Sequence, residues 1–278
     1  MKKIVISALL MGLVGLAQAQ VSVNGTMRYD LTKAEGAAAT SGIAKSEVVF
    51  KATEDLGGGM TVTAQMGLDG AGRGETVAGT DASITIAGGF GSVTAGQVEA
   101  ANGIIGRAYA GAPVIGSDGS VLAAKGNIDS IKYTTPAIGG FTASIGGSRA
   151  VDATTARSYT LGLSGAVGPL DTGIDYNETT KRVRVSAKAT VAGLTVGAGW
   201  SGRETGKADS RAFGVSMPVG ALTVGATRSS GDGTANEFGA SYALSKRTSV
   251  AYAYRTVADN ATVASNIATS RVRLQHTF

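Results

Sequence analysis

The sequence predicts an all-β chain closed into a 16-stranded antiparallel transmembrane β-barrel, and three observations carry that reading. Apolar and polar residues alternate with period two from Gln20 to Phe278, the pattern of strands with one apolar and one polar face. No apolar segment after Leu16 approaches the roughly 20 residues that a membrane helix needs. Connections between the alternating segments are short and long in turn, as in barrels with tight periplasmic turns and longer external loops.

The segment before the first strand is of another kind. Lys2 and Lys3 precede the apolar run Ile4 to Leu16, and Ala17-Gln18-Ala19 supplies the small residues of a cleavage site. This is the layout of a secretory signal peptide, and the run is too short to span a bilayer as a helix. Residues 1–19 are therefore expected to be removed on export, leaving 20–278 as one barrel domain. No Pro-rich or Ser-rich linker divides that stretch.

In the first strand Val21, Val23, Met27, Tyr29 and Leu31 alternate with Ser22, Asn24, Thr26, Arg28 and Asp30. Similar alternation places strands near 21–31, 45–54, 60–69, 82–88, 92–97, 130–135, 141–148 and 157–167. Eight more are expected near 170–178, 182–191, 194–202, 210–219, 222–228, 237–244, 248–256 and 270–278. The long connections are then 32–44, 70–81, 98–129, 149–156, 203–209, 229–236 and 257–269, while 179–181 is short for its place. Val272, Leu274, His276 and Phe278 share one parity of the last strand, which is expected to pair with the first.

Composition agrees with a barrel. The chain has 42 glycines, 16% charged residues and no cysteine, although its expected destination is an oxidising compartment where small secreted domains often rely on disulfides. A closed sheet pairs every backbone N–H and C=O around the ring and leaves no edge, so it needs no such staple. The net charge of +5, reduced once Lys2 and Lys3 leave, is too mild to point to nucleic acid, and the basic residues do not cluster with stacking aromatics. Trp200, Tyr29, Tyr133, Tyr159, Tyr176, Tyr242, Tyr252 and Tyr254 share the apolar parity, where they are candidates for interfacial girdles.

Four stretches resemble the Gram-negative general porins, and most of all the betaproteobacterial branch. They are SEVVFKATEDLGGG from Ser46 to Gly59, IAGGFGSVTAGQ from Ile86 to Gln97, DSIKYTTPAIGG from Asp129 to Gly140 and LQHTF from Leu274 to Phe278. The resemblance implies a homotrimer in the outer membrane, in contact with lipopolysaccharide and lipid, whose water-filled lumen passes small polar solutes and ions. It also implies that the third external loop folds inward. Residues 98–129 form the third and longest connection, which makes Glu99, Arg107, Asp118 and Lys125 the candidate constriction residues; a long surface loop is the other reading of that length. The terminal Phe278 would serve as the signal read by the barrel-assembly machinery. Wall positions that usually carry arginine in the family here correspond to Glu47, Ser83 and Gln97, so the transverse field is expected to be weak.

Parity alone sorts the strand charges. Arg28, Lys51, Lys132, Arg182, Arg184, Lys188, Arg255, Arg271 and Arg273 fall on the polar, lumen-facing side together with Asp30, Glu47, Asp171 and Asp175. Basic groups outnumber acidic ones there, which predicts a weak anion preference, since a charged lining raises the local counter-ion concentration. Screening in a wide aqueous pore works against it. No catalytic residue, metal-ligand spacing or cofactor motif is found. The sole histidine, His276, lies on the apolar parity, and pairs such as Gly139-Gly140 do not precede helices. A substrate-selective channel and a plugged, non-transporting barrel remain as alternatives.

Overall fold

The computed structural model describes residues 20–70, 76–99, 106–115, 127–148, 158–202, 208–231, 233–258 and 267–278; the expected signal peptide, Asp118 and Lys125 lie outside them. The strands are β1 (Gln20–Ala34), β2 (Thr40–Gly57), β3 (Met60–Asp69), β4 (Ala78–Gly88), β5 (Gly91–Glu99), β6 (Asn127–Thr134), β7 (Phe141–Ser148) and β8 (Ser158–Val167). They continue with β9 (Leu170–Asn177), β10 (Val183–Val191), β11 (Leu194–Gly202), β12 (Ser210–Val219), β13 (Leu222–Ser230), β14 (Thr234–Ala243), β15 (Thr248–Ala258) and β16 (Ile267–Thr277). Each strand pairs antiparallel with the next, and β1 pairs with β16 to close the barrel.

The alternation sets which face meets which solvent. Val21, Met27 and Leu31 of β1 are exposed, as are Ile131, Ile145, Leu161, Val196, Phe213 and Phe238 around the ring. A belt of large apolar side chains this continuous would be untenable in water, and it fits a hydrocarbon surround. The side chains between them point into the lumen, because successive residues of a strand alternate faces.

Strands run further than the hydrophobic pattern indicates. Thr32, Lys33 and Ala34 remain paired with Arg271, Ser270 and Thr269, so the first long connection shrinks to 35–39. The connection expected at 229–236 reduces to residues 231–233, and that at 257–269 to 259–266. The ladder is made by backbone groups and continues where side-chain alternation fades. The same effect corrects the longest connection to 100–126: Glu99 ends β5, in register with Asn127, rather than lying in the loop. Arg182 is corrected in the other direction, since it sits in the connection 178–182 and β10 begins at Val183.

Barrel closure has a local device. Gly25 and Phe278 exchange backbone hydrogen bonds of 3.0 and 3.1 Å beyond the last ladder pair. A Cβ on Gly25 would overlap the Phe278 ring, so the ring lies flat across the β1 backbone where any larger residue would displace it.

The most deeply buried apolar residues do not belong to strands alone. Ala108, Tyr109, Ala110, Ala112 and Val114, all in the connection between β5 and β6, are buried together with Ala212, Ala235 and Ala253 of the wall. The core of this protein is the contact between a loop and the inside of its own barrel.

Candidate functional site

Residues 106–115, opening with a helical turn at 106–108, cross the lumen against β9 and β11 to β16. What makes room for them is the absence of side chains. A Cβ on Gly197 would overlap the Arg107 carbonyl oxygen, one on Gly214 the Tyr109 backbone, one on Gly225 the Cβ of Ala112, and one on Gly239 the Pro113 carbonyl oxygen. These glycines face the lumen on β11, β12, β13 and β14 and form a seat for loop backbone, the use of glycine where another chain approaches closely.

Polar contacts pin the loop at both ends and in the middle. Arg107 donates from Nε to Asp171 Oδ1 at 2.6 Å, and Lys188 Nζ lies 3.5 Å from the other carboxylate oxygen. The Ser216 hydroxyl of β12 donates to the Ala110 carbonyl. At the far end Arg271 donates from Nη2 to the Val114 carbonyl at 3.1 Å. Partly dehydrated charge-assisted bonds of this kind are about twice as strong as neutral ones.

The rest of the lining follows from register. Arg273 grips Asp30 with two bonds, Nε to Oδ1 at 2.7 Å and Nη2 to Oδ2 at 2.6 Å. Arg28 donates to Gln275 Oε1 at 2.8 Å. On β10 Arg184 donates to Asp175 at 2.7 Å, and on β15 Arg255 Nε lies 3.7 Å from Oε1 of the buried Glu237. Glu47 is held by Lys45 at 3.0 Å. Each of these lumen carboxylates, Asp171 included, has a cationic neighbour.

Lys51 and Lys132 differ. Lys51 on β2 is in register with Ser22 and Gln65, and Lys132 on β6 with Thr94 and Gly146. Both are exposed, and neither forms an ion pair with another described residue. Both sit on the lumen-facing parity of strands outside the set that seats the loop.

Of the family's wall positions, Ser83 is in register with Gln65 and Gly96. The β5 neighbour of Ser83 is thus a glycine, and Gln97 is in register with Ala82 and Asp129. The loop seat was invisible to strand parity. Its glycines carry no signal singly, and only their shared lumen-facing parity on neighbouring strands hints that something lies against them. Ser216 and Glu237 were missed for a similar reason, since a single inward polar residue carries no signal until its partner is known.

A family model described as Gram-negative porin matches residues 7–262. No curated protein matches the sequence. Among solved structures the chain is similar to an anion-selective porin from Comamonas acidovorans, at 17% identity and a TM-score of 0.71 over 94% of this chain and 100% of that one. It is also similar to in-vitro folded OmpT, an outer membrane protein of Vibrio cholerae in its trimer form, at 13% identity and a TM-score of 0.73 over 94% and 99% of the two chains. A triple mutant of the Rhodopseudomonas blastica porin matches at 18% identity and a TM-score of 0.69 over 93% and 100%. At these identities the likeness is one of fold.

Proposed function

This chain belongs to the Gram-negative porin family, a family of outer-membrane channels, and from that premise we propose a general diffusion porin with a weak preference for anions. Small hydrophilic solutes and ions would pass through the water left between the seated loop 106–115 and the facing wall. The observation that carries the reading is the contrast between paired carboxylates and the exposed lysines Lys51 and Lys132. Neutralised acids contribute little field at a distance, whereas free ammonium groups attract anions into the passage. Salt screening over about 8–10 Å keeps the preference small.

Arg107 acts here as an anchor, because its charge is committed to Asp171. Export behind residues 1–19, with a mature chain beginning at Gln20 where β1 starts, is part of the same proposal. So are assembly through the C-terminal strand ending at Phe278 and a homotrimeric state, which the trimer form of the structurally similar OmpT supports.

Single-channel recording in a planar bilayer tests the diffusion reading. A steady conductance unchanged by added sugars, amino acids or phosphate supports it. Block by one solute class would mean a selective channel, and no conductance a plugged barrel.

A further inference from the structure

The loop that crosses the lumen ends at the seam where the barrel closes. From Arg107 on Asp171 of β9 it passes the glycines of β11 to β14 and finishes with the Val114 carbonyl on Arg271 of β16. β16 meets β1 to close the ring. The far anchor of the loop is thus set on the strand that completes the barrel.

Arg271 shares its surroundings with a second cation. Arg273 lies two residues along the same strand and on the same face, and both guanidiniums converge on one carboxylate of the facing strand. Asp30 of β1 is in register with Arg273, which bonds both of its oxygens at 2.7 and 2.6 Å. Arg271 Nε lies 3.9 Å from Oδ2 of the same carboxylate, while its Nη2 donates to Val114 at 3.1 Å. The side chains are largely withdrawn from water, with 13% exposure for Asp30 and Arg271 and 19% for Arg273. Two cations so close and so dry repel unless an anion lies between them. Arg28, two residues before Asp30 on its own face, brings a third cation to the seam, its Nε turned to Gln275 of β16.

We infer that Asp30 is a positioning residue for the loop: it holds Arg271 beside Arg273 in the orientation that reaches Val114, so closure of the barrel and full seating of the loop are coupled. Without the carboxylate, repulsion from Arg273 and Arg28 turns Arg271 aside and the Val114 carbonyl loses its donor. The anchors at Asp171 and Ser216 belong to the run of sequential hairpins β9 to β12 and do not involve the seam. This coupling holds whichever ions the lumen favours.

The test uses the full protein, with barrel closure read by heat-modifiable gel mobility and loop seating by open-channel current noise in a planar bilayer. Recording in about 1 M potassium chloride, where the screening length is about 3 Å, suppresses the direct effect of altered lumen charge on ion flow. In D30N the time that the loop end spends off Arg271 should rise about tenfold, the scale of one hydrogen bond to a charged group, and noise should rise with it. R271Q should be as noisy, D30N/R271Q no noisier than R271Q alone, and D30E close to wild type. R273Q discriminates between the two roles that Asp30 can have. It breaks the same bidentate pair from its other end but leaves Asp30 beside Arg271, so its channels should stay quiet. A salt bridge that merely ties the seam would make D30N and R273Q alike, and equal noise in those two overturns the proposal. Quiet D30N channels overturn it as well. Should D30N fail to close, quiet R273Q channels beside noisy R271Q channels support the coupling, and equal noise in that pair overturns it.

Discussion

Arg107 and Asp171 join a loop to a wall across 64 positions of sequence, with Nε donating to Oδ1 at 2.6 Å. Lys188 shares the same carboxylate, so the wall presents one acid between two cations. R107A is predicted to loosen the seated loop while leaving the barrel closed. The cost in unfolding free energy should be about 1 kcal/mol, because Asp171 is a third exposed and solvent screens the pair. The more sensitive readout is electrical: open-channel current noise should rise in R107A and in D171N alike. Quiet channels in both variants would mean that the pair does not restrain the loop.

The glycine seat makes a sharper prediction. G214L places a side chain where the Tyr109 backbone lies, and G239V does the same beneath Pro113. Either substitution should push residues 106–115 off the wall and change single-channel conductance by at least about a third, since conductance follows the open area of the narrowest section. G79L is the control, because a Cβ there meets nothing within 4 Å. Conductance should be unaffected by it.

How far the sequence could be read depends on where a residue's partner lies. β11 and β12 match the expected ranges to the residue, because Leu194, Val196, Ala198 and Trp200 alternate without a break and Gly193 and Gly220 mark the turns. Glu99 was misassigned because Gln97 and Val98 break the alternation, although the backbone ladder to Asn127 continues through them. The seat was illegible for a deeper reason. Gly197 and Arg107, or Gly239 and Pro113, meet only after the barrel closes, and no local pattern encodes that meeting. Arg211 and Arg228 went unnoticed in the sequence, and only the register shows Arg228 opposite the outward Phe213.

Closure of the barrel should depend on the space above Gly25. G25L displaces the Phe278 ring and with it the bonds that join Gly25 and Phe278. Folding into lipid vesicles, followed by heat-modifiable gel mobility, is predicted to be several-fold slower than wild type, consistent with overpacking costs of about 1–3 kcal/mol. F278A should relieve G25L in part, since the clash needs both side chains. A double variant no better than G25L would show that the ring is not the obstacle.

In the external connection 178–182, Glu178 accepts a 3.0 Å bond from Lys181 and holds its ammonium pKa above the usual lysine value. A raised folded-state pKa means that this contribution is complete below the ordinary lysine pKa and is lost as pH climbs through the raised value. Lys181 therefore stays charged at neutral and mildly alkaline pH. E178Q should leave the melting temperature there unchanged within error, as expected for a fully exposed pair, while the Lys181 titration measured by NMR moves to lower pH. An unmoved titration would contradict the assignment of the shift to Glu178.

On the proposed reading, the seated loop and the exposed Lys51 and Lys132 leave a passage of weak positive field. Reversal potential under a potassium chloride gradient across a planar bilayer measures it most directly. A small potential of the sign given by faster chloride is expected, reduced toward zero in K51A/K132A and steeper at low salt, where screening is weaker. A wild-type potential of the sign given by faster potassium would contradict it.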